Sequence, residues 1–187
     1  MAVYNFDGGA GDTLQSAFPT GSIPDNAEIN IKRGTTVTGT LSPTTAQWEG
    51  VHNGSVTIRP YGSGTAEARI KTRNGFTADG INGLLDVADV TIEQDISGSY
   101  DATANCLKTT GNGGTELAAT LIALRVRTIN WDVAIKPAGD DSSVSYCSIE
   151  DCTKGYVNVS GASTDGKTPK NGYVGHNTCF SSRMTGN

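Results

Sequence analysis

The feature that most restricts what this chain can fold into is a doublet in its second half. Residues 120–139 (TLIALRVRTINWDVAIKPAG) and 143–162 (SVSYCSIEDCTKGYVNVSGA) match in pattern when one is set over the other. Leu124 falls on Cys147, Val126 on Ile149 and Ile129 on Cys152, and Val133 and Ile135 are answered by Val157 and Val159 after one extra residue. Polar residues stand between them, Arg125 on Ser148 and Arg127 on Glu150. Apolar residues two apart predict a strand with one buried face. The step of three from Val126 to Ile129 predicts a corner that keeps the next apolar residue inside. Strand, corner and strand at a period in the twenties is the pattern of a solenoid whose coils stack.

The same short signature runs in both directions. It recurs as Ile29-x-Ile31, Val56-x-Ile58, Val90-x-Ile92, Leu124-x-Val126, Cys147-x-Ile149 and Val174-x-His176. A helical chain needs sustained spacings of three, four and seven, and only a short N-terminal stretch offers them. The reading is an all-β parallel solenoid of about six coils over residues 27–187, preceded by an N-terminal cap over residues 1–26. In the cap, Asp12 is the expected helix N-cap with Gln15 at the third helical position, and Pro19 ends the helix. The segment 42–53, with Trp48 and His52, reads as a loop, as do the glycine-bearing stretches 97–105, 110–116 and 162–172.

Composition agrees with a turn-rich β chain. The 187 residues contain 24 Gly and only 18% charged residues, so helices are expected to be scarce. The net charge of −5 argues against nucleic acid as a partner, while leaving room for local cationic rows. There is no secretory leader pattern in MAVYNFDGGAGD and no apolar run long enough for a membrane span, so no membrane partner is expected. Cys147, Cys152 and Cys179 fall in the inward register and are read as buried free thiols, with Cys152 and Cys179 at one position of successive coils. Together with His176 they approach a zinc spacing, but the inward register favours a core role, and no metal site is expected. The sequence stops at RMTGN in mid-coil, so a longer chain or a covering partner is expected at that end.

The phrases NAEINIKRGTTVTGTL, VTIRPYGSGTA and NGYVGHNTCFSSRMTGN resemble the opening coils of the right-handed parallel β-helix superfamily of pectate-lyase type. That superfamily includes polysaccharide lyases, glycoside hydrolases and bacteriophage tailspike depolymerases. The resemblance spans residues 27–187 and implies a fold; it carries no catalytic motif over, so the catalytic residues are unassigned. It implies a phage tail fibre or tailspike in the virion, recognising a bacterial surface polysaccharide and assembled as a homotrimer. The alternative is the N-terminal portion of a secreted bacterial polysaccharide lyase or glycoside hydrolase. No cofactor is expected, apart from calcium if the chain is a lyase.

Outward positions of the repeated strand predict two ladders. One is Thr91, Arg125, Ser148 and Gly175; the other is Glu93, Arg127, Glu150 and Asn177. A row alternating acid, base, acid and amide suits sugar hydroxyls or carboxylates, and it equally suits a sheet stabilised by cross-strand charge pairs. Glu93, Arg125, Arg127, Glu150, Asp151 and Asn177 are therefore the candidate ligand-binding residues. Glu150 and Asp151, with Asp132, Asp140 and Asp141, could pair carboxylates for glycoside hydrolysis or hold calcium, with Lys136, Lys154 or Arg183 as bases; solvated loop acids are the simpler reading. His176, aligned with inward Ile149, is read as a core or corner residue, and His52 as a solvated loop residue.

Overall fold

The computed structural model describes residues 1–19, 23–39, 51–52, 54–79, 83–96, 104–110, 119–139, 141–156 and 172–180. Strand β1 (Ala2–Phe6) and the single turn of helix α1 (Leu14–Ala17) come first. Strands then follow in rounds of three. They are β2 (Ala27–Lys32), β3 (Thr36–Thr38) and β4 (Val51–His52), then β5 (Ser55–Tyr61), β6 (Ala68–Thr72) and β7 (Phe76–Asp79). Next come β8 (Leu84–Ala88), β9 (Val90–Gln94) and β10 (Asn105–Thr110), then β11 (Thr120–Leu124), β12 (Arg127–Ile129) and β13 (Val133–Lys136). The last are β14 (Ser143–Ser145), β15 (Ser148–Glu150), β16 (Lys154–Tyr156), β17 (Tyr173–Gly175) and β18 (Thr178–Phe180).

Among the described residues, five rounds each give one strand to each of three sheets, β17 and β18 continue two of them, and every pairing is parallel. Sheet A runs β1-β2-β5-β8-β11-β14-β17, sheet B β3-β6-β9-β12-β15-β18, and sheet C β4-β7-β10-β13-β16. This arrangement is compatible with a parallel solenoid, and helix among the described residues is confined to α1. Inner rows of the sheets meet in one core. Ile29, Ile58, Val87, Ala123 and Val144 come from sheet A, Val37, Ile70, Ile92 and Ile149 from sheet B, and Phe76, Leu107 and Ile135 from sheet C. Trp131 fills the turn between β12 and β13 and donates its indole N–H to the Ile92 carbonyl at 3.0 Å, so its one polar atom is satisfied inside the core.

The register differs from the expected one. Arg127 lies beside Ser148 rather than Glu150, Thr128 beside Ile149, and Val133 beside Lys154. Aligning apolar residues misled because Ile122, Leu124 and Ile129 lie at partly exposed positions, whereas Thr128 is wholly buried. The six signatures also belong to two sheets rather than one column. Ile29, Val56, Leu124 and Val174 belong to sheet A, Val90, Ile92 and Ile149 to sheet B, while Val126, Cys147 and His176 sit at corners.

Corners from sheet A to sheet B are made by single residues in the left-handed region: Asp89 (φ 59°), Arg125 (φ 52°), Tyr146 (φ 54°) and His176 (φ 57°). Such a conformation costs a non-glycine residue about 1–2 kcal/mol. Hydrogen bonding between rounds continues through it and offsets the cost: Asp89 N–H reaches Leu124 C=O at 3.1 Å, and Arg125 N–H reaches Ser145 C=O at 3.0 Å. Corners from B to C repeat the device at Asn130 and Asp151.

The N-terminal segment contributes more than a cap, because β1 extends sheet A beside β2. The helix starts one residue later than expected. Thr13, extended at φ −125°, is the N-cap, and it forms a capping box with Ser16. The Asp12 carboxylate instead accepts from the Asp7 and Gly8 N–H groups, at 2.5 and 2.9 Å. Leu14 and Phe18 are buried, as the helical face predicts.

Cys147 and Cys152 are buried free thiols, as is Cys106. Cys179 is exposed and stands beside Ile149, not at the position of Cys152, so the expectation fails for that residue. His176 is a corner residue rather than an inward one, and its ring stacks on Tyr146 at 4.8 Å between centroids. The backbone of His52 is in strand β4, where a loop was expected; Trp48, Asp140, Val157, Val159 and Arg183 lie outside the described residues.

Candidate functional site

The outer face of sheet B carries two rows. The first is Thr36, Arg69, Thr91, Arg127, Ser148 and Thr178, and the second is Thr38, Lys71, Glu93, Ile129, Glu150 and Phe180. Arg127 and Glu150 therefore belong to adjacent rows, yet they touch. Arg127 donates Nε to Glu150 Oε1 at 2.8 Å and Nη2 to Oε2 at 2.7 Å, the two-pronged geometry in which arginine binds carboxylates most strongly. Its long side chain spans the diagonal between neighbouring strands.

Glu93 does not pair with Arg127. Its carboxylate accepts from Arg69 Nη1 at 3.0 Å, with Lys71 Nζ at 3.8 Å. Glu67, just before β6, links the two arginines. It accepts from Arg69 Nη2 at 2.6 Å, from Arg127 Nη1 at 3.2 Å, and from the Thr91 hydroxyl. The result is an unbroken chain, Glu93–Arg69–Glu67–Arg127–Glu150, lying over the strands. Thr91 occupies the outer row, yet only 1% of it is exposed, because the network covers it.

This arrangement fixes the charge states. Partial burial works against the Glu67 carboxylate, but the bonds from Thr91, Arg69 and Arg127 outweigh it and hold its pKa below the ordinary 4.5. The hydrogen bonds from Arg127 lower Glu150 despite its own desolvation, and Glu150 in turn raises Arg127. A carboxylate held ionised in this way is the opposite of the general acid that glycoside hydrolysis needs. Glu150 is suited to accepting hydrogen bonds, not to delivering a proton.

The other expected residues lie elsewhere. Arg125 is at the A-to-B corner and pairs with Asp89, at 2.5 Å from Nε and 2.8 Å from Nη2. That pair lowers the Asp89 pKa. The Asn177 side chain is committed to the backbone, accepting from Cys147 N–H at 2.8 Å and donating to Val144 C=O at 3.1 Å. Asp151 forms the B-to-C corner, its N–H bonded to Phe180 C=O. Asp132 and Asp141 lie in the connections before β13 and β14 rather than on sheet B, while Lys136 and Lys154 belong to sheet C. Among the described residues no group of three or more His, Cys, Asp or Glu side chains is placed to hold a metal ion.

Sequence reading missed Glu67, Arg69 and Lys71. Arg69 and Lys71 flank buried Ile70 in the run ARIKT, so alternation could have placed both on the outer face. Glu67 lies off the strand and gives no such signal. No family model, curated protein or solved structure matches the chain, so its function has to be read from the side chains on sheet B.

Proposed function

We propose that the chain is a right-handed parallel β-helix of the pectate-lyase-like kind, and that the outer face of sheet B recognises a bacterial surface polysaccharide. In this reading it acts as part of a phage tail fibre or tailspike, and a homotrimer and a virion location go with it. The rotation of successive strands among three all-parallel sheets supports the fold, and the general handedness of parallel crossover connections supports the hand. One observation carries the recognition reading: the outer face of sheet B holds a regular row of hydroxyls and guanidiniums beside a row bearing carboxylates. Rows repeating every ~4.8 Å present donors and acceptors at regular intervals, which suits a polymer that repeats its own hydroxyls. No reaction is assigned to this face.

An array of bacterial surface polysaccharides probed with the wild type and Arg127→Ala tests this. The wild type should retain at least one glycan. The variant should bind it about tenfold more weakly, while losing no more than the roughly 0.2–1 kcal/mol of stability that each of its two exposed ion pairs contributes. Equal binding by both proteins, or none by the wild type, would remove the reading.

A further inference from the structure

We propose that Glu67 is the built-in occupant of an anion site on sheet B, and that the carboxylate of an acidic polysaccharide takes its place on binding. The proposal rests on the glycan-recognition reading of the same face and narrows it to carboxylate-bearing sugars.

Three donors converge on the Glu67 carboxylate. Arg69 approaches Oε2 with Nε at 3.3 Å and Nη2 at 2.6 Å, Arg127 approaches Oε1 with Nη1 at 3.2 Å, and the Thr91 hydroxyl also donates to Oε1. When Glu67 leaves, the Thr91 hydroxyl loses its acceptor, and a ligand oxygen can take that place. A ligand carboxylate has the charge and the two-oxygen shape to satisfy all three donors at once; a neutral sugar hydroxyl has not.

Each guanidinium keeps a carboxylate when Glu67 leaves, Arg127 by two bonds and Arg69 by one. Glu150 grips Arg127 by Nε and Nη2, leaving Nη1 for Glu67, and Glu93 holds Arg69 by Nη1. Glu93 and Glu150 stand on ladder strands, whereas Glu67 follows an exposed turn in which Gly62 and Gly64 have φ of 84° and 106°. Rotation about its side-chain torsions is enough to vacate the site, with no ladder bond broken. The exchange also leaves the local charge balance as it was. Lys71, Arg69 and Arg127 face Glu67, Glu93, Asp95 and Glu150, three cations against four carboxylates; when Glu67 swings out, the counts are equal and one ligand carboxylate restores the original balance.

The test compares dextran with carboxymethyl-dextran, polymers that differ in their carboxylates, using affinity electrophoresis of the wild type and Glu67→Gln. Glu67→Gln keeps the shape and removes the competing charge. It should bind carboxymethyl-dextran about tenfold more tightly than the wild type, the factor that corresponds to about 1.4 kcal/mol, with dextran unchanged. Adding Arg69→Ala to Glu67→Gln should abolish the gain. If Glu67→Gln fails to fold, Glu67→Ala takes its place in the same comparison. An unchanged or weaker affinity for carboxymethyl-dextran in the folded variant would make Glu67 a structural link only and overturn the proposal, while glycan binding on the array would still stand. An equal gain for poly-L-glutamate would show a carboxylate site not meant for sugars, and would overturn the choice of ligand class. Loss of all glycan binding on the array, by contrast, would defeat the recognition reading itself.

Discussion

Sheets A and B share a chain path, the left-handed corners between them and largely apolar inner rows, yet their outer faces differ. Sheet A presents Val3, Glu28, Thr57, Asp86, Ile122, Ser143 and Tyr173 in one row, crossed by the Arg59–Asp86 pair at 2.6 Å and edged by Lys32–Asp7 at 3.1 Å. Sheet B links five side chains from Glu93 to Glu150 into one network. Among the described residues, sheet A holds its seven strands with two separate ion pairs on its face, so parallel pairing in this molecule does not demand a network. Exposed ion pairs contribute about 0.2–1 kcal/mol each, too little to account for such a concentration through stability alone. Under the proposed reading, the difference between the faces reflects the recognition assigned to sheet B.

The largest effects should be the same on both sheets, because they arise inside. Ile58 of sheet A and Ile92 of sheet B are both fully buried. Replacing either by alanine should cost about 2–5 kcal/mol through lost burial and the cavity left behind. Chemical denaturation of the two variants measures this. A negligible cost for Ile92→Ala would turn sheet B inside out and erase the comparison.

Outer arginines should separate the sheets. Arg59→Ala removes one ion pair from sheet A and Arg127→Ala removes two from sheet B, at a cost of about 0.2–1 kcal/mol per pair. Only Arg127→Ala should weaken glycan binding. If both variants bind equally poorly, recognition is not confined to sheet B, and the contrast between faces loses its functional meaning.

Acid should act on the network next. Glu67 and Glu150 have folded pKa values below the ordinary 4.5, so their contribution is complete above that pH and is lost as the pH falls through the folded values. The wild type should therefore lose stability below about pH 4.5, and Glu150→Gln should lose less over the same interval, since one of the two carboxylates no longer takes up a proton. Melting temperatures taken between about pH 6 and pH 3 give the comparison. Parallel curves for the two proteins would mean that the Arg127–Glu150 pair is too well solvated to matter.

How much of this was legible in the sequence varies with the signal each residue gives. Alternation exposed the parallel strands, because Ile29, Ile31, Val56 and Ile58 all face one core. Register was not legible, because partly exposed Leu124 and Ile129 mimic core residues while buried Thr128 hides as a polar one. The Arg127–Glu150 contact was found from the wrong register. Apolar alignment set the two opposite each other, whereas Arg127 is truly opposite Ser148 and reaches Glu150 only through its long side chain. Corner geometry at Arg125 and Tyr146 left no trace, since these are not residue types that favour a left-handed backbone. Glu67 was illegible for a different reason: it acts through residues from three separate strands.

Thr128 offers the finest test of the two faces of sheet B. Its side chain lies in the inner row between Ile92 and Ile149, and its buried hydroxyl has no oxygen or nitrogen partner among the described residues, only the Cys152 sulfur. The neighbouring Cys152 thiol donates elsewhere, to the Glu150 carbonyl at 3.2 Å, and sulfur is a weak acceptor in any case. Thr128→Val keeps the branched shape and removes a buried hydroxyl whose one partner is a weak acceptor, so it should stabilise the fold by about 0.5–1 kcal/mol. Thr91→Val makes the same chemical change on the outer face, where the hydroxyl donates to Glu67, and there it should destabilise by about 1 kcal/mol. One substitution, applied to two faces of one sheet, should move the melting temperature in opposite directions. If Thr128→Val destabilises as much as Thr91→Val does, Thr128 has a stronger partner in solution, and the inner row is less apolar than the packing of Ile92 and Ile149 around it implies.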